Sequence, residues 1–211
     1  ETAHTSVWEQ YSGKGETIVG AREVYQNVEE MLEVEDAGKL ISARLRLADG
    51  FLEIGESERA REHAMGVHDL SLELSEHQLH ARSRVILGRY YARTKDSELS
   101  LLHYNAALET FSEEANPTNA VETEMLLGQV LVDVGRTSEA SEHYLDALSI
   151  AEANDFRLLQ AEILARLGTI RGDRSERVAY LQRSLSVFKD LGAHTRMKEI
   201  QNSVHRALMG R

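Results

Sequence analysis

Apolar residues recur at three- and four-residue steps along most of the chain, which is the period of an amphipathic α-helix and not of a strand. The pattern is clearest over residues 120–152, where two such stretches flank a Gly-Arg-Thr turn. Gly135 suits a helix end that needs a positive φ, and Thr137 offers a hydroxyl N-cap to the next helix. Because so short a turn forces its helices to run antiparallel, the sequence predicts a helical hairpin here.

This hairpin pattern repeats every forty residues. The small residues Ala48, Gly88, Gly128 and Gly168 share one register, and the predicted caps Ser57, Ser97 and Thr137 share another. Gly or Ala at a contact point lets a neighbouring helix approach closely, and one hairpin cannot bury its own apolar face. The sequence therefore predicts an all-α fold, an α-α superhelix made by stacking antiparallel helical hairpins.

The register also sets the predicted boundaries. We expect one solenoid over 1–211 without an internal domain boundary, with a partial first repeat over 1–35 and a C-terminal capping helix over 193–209. The full repeats are predicted at 36–75, 76–115, 116–154 and 155–191. Asn116 and Pro117 suit the cap and first position of a helix. The last repeat is about three residues shorter than the others, and Met197, Ile200, Val204 and Leu208 form the predicted apolar stripe of the capping helix.

The order of small residue, turn glycine, Ala, Tyr and Ala at Gly128, Gly135, Ala140, Tyr144 and Ala147 resembles the tetratricopeptide repeat (TPR). The resemblance covers roughly residues 40–190. The period departs from the usual one of about 34 residues, and the closing Pro is missing, because Pro117 is the only proline. Such long-period variants occur in scaffold proteins and in the sensor regions of bacterial regulators. Armadillo-like and HEAT-like hairpins share the forty-residue period and remain an alternative.

Charge and composition narrow the range of partners. The chain has 24 basic and 35 acidic residues, a net charge of −11 and no cysteine. Such a charge opposes phosphate backbones and anionic lipid surfaces, so we expect neither nucleic acid nor membrane as a partner. The absence of cysteine and of a signal-like N-terminus suits the cytoplasm. The chain begins at Glu1 without Met, so we expect it to be part of a longer protein.

Candidate chemistry is weak throughout the sequence. His63, His103 and His143 share the forty-residue period, but equivalent positions on stacked helices lie about 10 Å apart, too far to share one ion. We expect them to form a row of polar contacts between repeats. His77 and His80 are three residues apart, yet no metalloprotease motif accompanies them. The acidic pairs lie on polar helical faces, and the sequence shows no nucleophile motif. We therefore expect no enzyme activity, no metal and no cofactor.

The TPR resemblance implies that the first helix of each hairpin lines a concave groove that contacts a ligand. Counting from the four small residues places the predicted groove positions at Ser42, Leu45, Asp49, Leu52, Glu53, Arg82, Val85, Arg89, Ala92, Arg93, Glu122, Met125, Gln129, Val132 and Asp133, and in the last repeat at Glu162, Ala165, Thr169 and Asp173. The arginines form a band between acidic bands. Either this band binds an acidic group of a partner, or it pairs with acids on adjacent helices and ties the repeats together. Both readings stay open.

The function expected from these features is a non-catalytic protein-protein interaction module that binds a peptide or helix segment in its concave groove. The alternative is a sensor or regulatory domain of a larger signalling or transcription-regulating protein, with a small ligand or a segment of the same chain in the groove. A third possibility is a homo-oligomer formed through the N-terminal end, where Trp8 and Val24 would be exposed.

Overall fold

The computed structural model describes residues 37–170 and 172–209, and within them every regular element is an α-helix. The all-α prediction is therefore confirmed for this part of the chain. Trp8 and Val24, on which the oligomer hypothesis rests, lie outside the described residues. The nine described helices are α1 (Ala37–Glu53), α2 (Ser57–Glu73), α3 (His77–Arg93), α4 (Ser97–Glu113), α5 (Pro117–Asp133), α6 (Thr137–Ala153), α7 (Arg157–Ile170), α8 (Arg174–Asp190) and α9 (His194–Met209).

The helices follow a twenty-residue period, half the forty-residue period of the hairpins. From α1 to α7 each helix begins twenty residues after the one before, and three-residue turns join them. Every one of these turns contains a residue with positive φ, namely Gly55, Ser75, Lys95, Ala115, Gly135 and Asp155. At Gly135, N–H groups of the turn reach back to the helix carbonyls of Val132 and Leu131. This Schellman-type closure satisfies carbonyls that the helix end would otherwise leave without a partner.

The predicted caps require a correction. Asn116 is confirmed as an N-cap, since its side chain accepts from Asn119 N, and Pro117 is the first residue of α5. The prediction for Ser57, Ser97 and Thr137 is wrong, because each is the first residue of its helix and the cap is the residue before it. The physical reason is the compact turn, in which the residue that closes one helix is followed directly by the cap of the next.

The chain divides into two compact units, with the boundary between Lys95 and Asp96. The first unit contains α1 to α3 and the second contains α4 to α9. The core of the first unit is formed by Ile41, Leu45, Leu47, Ala48, Phe51, Leu52, Ala60, Ala64, Val67, Ile86 and Leu87. The second unit has one cluster around Tyr144, Leu148 and Ile163 and another around Leu181, Phe188 and Ile200. Each of these clusters draws only on residues of its own unit.

The small residues of the forty-residue register have the packing role predicted for them. A Cβ added at Gly128 would lie 2.5 Å from Cε1 of Tyr144, so only glycine allows this ring to lie against α5. At Gly168 the same space is taken by Leu181, with 2.5 Å to its Cγ. Tyr144 follows Gly128 by sixteen residues, whereas Leu181 follows Gly168 by thirteen. The helix α7 has 14 residues, whereas α5 and α6 have 17 each. The predicted three-residue shortening of the last repeat is thus confirmed.

The predicted C-terminal helix is present as α9, which packs on α8. Ile200 is buried, and Met197 and Val204 pack against the same cluster. Leu208 was predicted to belong to this stripe, but it is largely exposed and Ala207 is buried in its place. The buried stripe therefore continues from Val204 to Ala207 at a three-residue step, whereas the sequence predicted a four-residue step to Leu208.

Candidate functional site

A cleft of about 320 Å³ opens in the second unit between α5, α7 and α9, and Tyr144 of α6 and Leu181 of α8 complete its lining. Five of its lining residues are positions at which the sequence places ligand contacts: Gln129, Val132, Glu162, Ala165 and Thr169. The half-buried Val132, Ala165 and Ile170 offer apolar surface to the cleft, while its lining residues Leu181 and Ile200 are buried. The cleft lies where α7 is about one turn shorter than α5. The first helices of two successive hairpins and the C-terminal helix therefore share one concave surface.

Arg166 and Gln129 form a polar network on one side of the cleft. Nη1 of Arg166 donates to Oε1 of Gln129 over 2.6 Å, and Nε2 of Gln129 donates to Oδ1 of Asp133 over 2.9 Å. The guanidinium of Arg166 also lies 6.0 Å from the ring centroid of Tyr144. Burial raises the pKa of the Tyr144 hydroxyl, while the charge of Arg166 and its hydrogen bond act in the opposite direction. The tyrosine therefore stays a neutral hydrogen-bonding group at physiological pH.

Arg196 supplies the other polar side from α9. It donates to Glu162 over 3.2 Å and to Glu199 over 2.8 Å. All three side chains remain substantially exposed, so each pair contributes only about 0 to 1 kcal/mol. A carboxylate of a ligand can therefore replace either glutamate on the guanidinium at little cost. Sequence reasoning missed Arg196, because it assigned α9 only a capping role. It also missed Arg166, because the equivalent position forty residues earlier is the uncharged Leu126.

The arginine band of the first unit makes contacts with α1. Nη1 of Arg89 pairs with Oδ1 of Asp49 over 2.7 Å, and Nη1 of Arg93 donates to the backbone carbonyl of Leu52. Burial raises the pKa of Asp49, while the charges of Arg89 and Arg82 lower it. Two of the three predicted arginines thus connect α3 to α1, in line with the hypothesis that the band pairs with groups on adjacent helices. Arg82 and Arg93 are nevertheless exposed, and Val85 and Arg89 are half-buried.

Three of the predicted groove residues offer no surface to a ligand, and this corrects their assignment. Leu45 and Leu52 are 0% exposed in the core of the first unit, and Met125 is 8% exposed in that of the second. Their positions on the apolar stripe turn them toward the neighbouring helices. Glu53, Glu122 and Asp133 are exposed, while Asp49, Gln129 and Val132 are half-buried.

Two of the three periodic histidines, His63 and His143, contact residues within their own hairpins. His63 stacks on Phe51 with ring centroids 5.4 Å apart, and Nδ1 of His143 lies 2.6 Å from Oε2 of Glu124. These contacts join the two helices of one hairpin, whereas the sequence suggested contacts between repeats. Across residues 37–170 and 172–209, no three His, Asp or Glu side chains come together as a possible metal site.

A second cleft of about 400 Å³ lies between α6, α7 and α8 and shares no lining residue with the first. It is crossed by an exposed ion pair in which Arg183 donates to Glu152 over 3.1 Å. None of the helices in the described part of the chain has the length and apolar character needed to cross a membrane.

Several solved structures share this fold, although no family model and no curated protein sequence matches the chain. One is a signal transduction ATPase with numerous domains (STAND) from Pyrococcus horikoshii, which has a tetratricopeptide repeat sensor: TM-score 0.78, 14% identity, covering 89% of this chain and 30% of that one. Another is aspartyl phosphate phosphatase F from Bacillus subtilis, which matches with a TM-score of 0.75 at 14% identity. The match covers 87% of this chain and 49% of the phosphatase. A Rap protein complexed with competence and sporulation factor matches with a TM-score of 0.56 at 12% identity. The match covers 96% of this chain and 69% of the Rap protein.

These similarities confirm a TPR-like helical-repeat fold. At such identities they show the fold alone. The chain spans 30% of the length of the STAND protein and 49% of the phosphatase, so the activities of those whole proteins are not thereby assigned to it.

Proposed function

We propose that this chain is a non-catalytic interaction module that binds a peptide or helix segment of a partner protein in the cleft between α5, α7 and α9. One observation carries the proposal. The cleft is lined by Gln129, Val132, Glu162, Ala165 and Thr169, which are positions at which the TPR resemblance places ligand contacts. The complex of a Rap protein with competence and sporulation factor is a precedent for a ligand on this fold.

The lining indicates which chemistry the segment carries. An apolar side chain fits over the half-buried Val132, Ala165 and Ile170, where it removes apolar surface from water. An acidic side chain or a terminal carboxylate binds Arg196 through forked hydrogen bonds, displacing Glu162 or Glu199. The ligand of this cleft is therefore a segment that combines an apolar residue with a nearby carboxylate.

A sensor role is the second candidate, and the size of the cleft favours it. A volume of about 320 Å³ falls at the lower end of the usual range for small-molecule sites. The STAND protein, whose repeats are described as a sensor, has the same fold. In the sensor role, a small carboxylate-bearing molecule or a segment of the same chain occupies the cleft instead of a partner peptide.

The first unit provides a second proposed contact surface. It consists of the exposed Arg82, Glu53 and Arg93 with the half-buried Asp49, Val85 and Arg89. Leu45 is left out because it is buried. A partner that binds here competes with the pairs that Arg89 and Arg93 make to α1.

The test begins with identification of the ligand. The full chain is purified from its host and examined by native mass spectrometry, and a peptide array then supplies binding segments. Arg196→Glu is expected to weaken binding of an acidic apolar peptide at least tenfold. Arg183→Glu is the matched control, because it makes the same charge change at an exposed ion pair of the second cleft.

The two variants distinguish the possible results. Equal binding by the Arg196 and Arg183 variants, both with wild-type melting curves, would contradict the proposed cleft. A copurified small molecule that is lost only in the Arg196 variant would favour the sensor role over the interaction module.

A further inference from the structure

Two histidine rings meet between α2 and α3 in the first unit. Nε2 of His68 lies 3.5 Å from Nε2 of His80, and the ring centroids are 4.3 Å apart with 46° between the ring planes. Both side chains are half-buried. Sequence spacing pairs His80 with His77 on the same helix, and only the fold brings His68 to it. None of the functions proposed above uses this contact.

The surroundings decide which nitrogen carries the proton. Two facing nitrogens form a hydrogen bond only when one of them bears hydrogen and the other offers a lone pair. Nδ1 of His68 is buried and has no hydrogen-bond partner. Buried N–H groups without an acceptor are rarer in folded proteins than buried acceptors without a donor. We therefore assign the hydrogen of neutral His68 to Nε2, where it faces Nε2 of His80 across 3.5 Å.

A further proton on the pair has no favourable place. On Nδ1 of His68 it would make a buried N–H without an acceptor. On Nε2 of His80 it would point at the N–H of His68 across 3.5 Å. Arg84 and His77 on α3 add positive charge, Asp69 on α2 opposes them, and Arg44 of α1 lies against Gly66, two residues before His68.

The pKa values agree with this geometry. Burial lowers the pKa of His80 to about 4, with further lowering by His68, Arg84 and His77. Burial also lowers the pKa of His68, and Arg84 adds to the effect while Asp69 opposes it. A histidine with a lowered pKa stabilises the fold above its ordinary value of 6.5, and this contribution is lost as pH falls toward the folded value.

We propose that the contact between His68 and His80 is an acid-sensitive latch, which holds α2 against α3 while both imidazoles are neutral and opens when they are protonated. Opening also affects α1, because α3 carries Arg89 and its ion pair with Asp49. Acidification thereby loosens the arginine band of the first unit. The latch makes the presentation of this surface dependent on pH.

Hydrogen exchange of backbone amides in the full chain tests the latch. Protection factors of α2 and α3 are compared at pH 7.5 and pH 5.0, with the intrinsic exchange rate at each pH removed. A pKa of about 4 in the closed state against 6.5 in the open state predicts about a 30-fold loss of protection from His80 alone. His68 adds a loss in the same direction.

His80→Gln keeps a polar side chain that does not titrate, and it is expected to remove most of this loss. His77→Gln, one turn away on the same helix, is the matched control and is expected to retain it. Each protein is compared with itself at two pH values, so a uniform change in stability does not affect the result. An NMR titration of the wild-type chain provides a second measurement. The latch is refuted if His80 titrates near 6.5, or if wild type and His80→Gln lose protection equally.

Discussion

At the scale of single residues, the contact between Glu124 and His143 shows how a buried charge is accommodated in a hairpin. Glu124 is 7% exposed on α5, and its carboxylate receives the Nδ1 hydrogen of His143 from α6 over 2.6 Å. The hydrogen bond that His143 donates to Glu124 raises the pKa of His143, with the charges of Glu124, Asp146 and Glu142 acting in the same direction against burial. The pair therefore contains a protonated histidine over a wider pH range than a free imidazole.

The sign of this effect gives a prediction. A raised pKa means that the pair stabilises the fold fully below pH 6.5 and that the contribution is lost as pH rises through the folded value. Glu124→Gln is expected to lower the pKa of His143 and to cost about 1 to 3 kcal/mol at pH 6. NMR titration of His143 and denaturant unfolding at pH 6 and pH 8 measure both quantities. Glu122→Gln, an exposed neighbour on α5, should leave them unchanged.

Two helical glycines give opposite expectations for the same substitution. Gly128→Ala would place a methyl group 2.5 Å from the Tyr144 ring, and overpacking of this kind costs about 1 to 3 kcal/mol. At Gly66 the methyl group would meet the end of the flexible Arg44 side chain, which can move. Gly66→Ala is therefore expected to be neutral or to stabilise α2 by up to about 1 kcal/mol. Thermal unfolding of both variants checks the contrast, and equal effects would show that Tyr144 adapts.

At the scale of elements, the turns explain which boundaries the sequence reveals. Gly55 and Gly135 mark their turns, because glycine adopts positive φ without a steric cost. Ser75, Lys95, Ala115 and Asp155 adopt the same backbone conformation without that signal. Their turns could be inferred only from the forty-residue register, which depends on residues inside the helices. The three predicted N-caps lie one residue too late along the chain. The N-cap propensity of Ser and Thr favours them, whereas the geometry of the three-residue turn makes the residue before each of them the cap.

These turns also predict a stabilising substitution. Ala115 has a φ of 51°, a region that costs an L-residue roughly 1 to 2 kcal/mol. Glycine removes that strain but makes the unfolded chain more flexible, so Ala115→Gly is expected to stabilise the protein by about 0.5 to 1 kcal/mol. Ala106→Gly, at a half-buried position in the interior of α4, should destabilise it by a similar amount. Urea unfolding distinguishes the two, and a loss of stability at residue 115 would refute the argument.

At the scale of the whole molecule, the repeat register predicts more of the fold than of the site. Hairpins, the shortened last repeat and the terminal helix all follow from apolar spacing. The repeat period shows which residues share one face of a helix, and for this reason it assigns Leu45 and Met125 to the groove. It does not show which of these residues a neighbouring helix covers, and both are buried. Arg166 and Arg196 enter the cleft from positions that the repeat pattern does not mark. The latch histidines meet across two helices, and nothing in their spacing along the chain predicts that contact.

The division into two units yields the last prediction. The clusters around Tyr144 and Phe188 use only residues of the second unit, and so does the cleft between α5, α7 and α9. A fragment comprising residues 96–211 is therefore expected to fold cooperatively on its own, because a compact unit with its own core retains the contacts that stabilise it. Circular dichroism should show a helical fragment with a single thermal transition.

The fragment should also retain the full chain's affinity for the cleft ligand and its sensitivity to Arg196→Glu. A fragment that is helical but does not bind would show that the first unit contributes to the site, whereas an unfolded fragment would show that the core of the second unit is insufficient by itself.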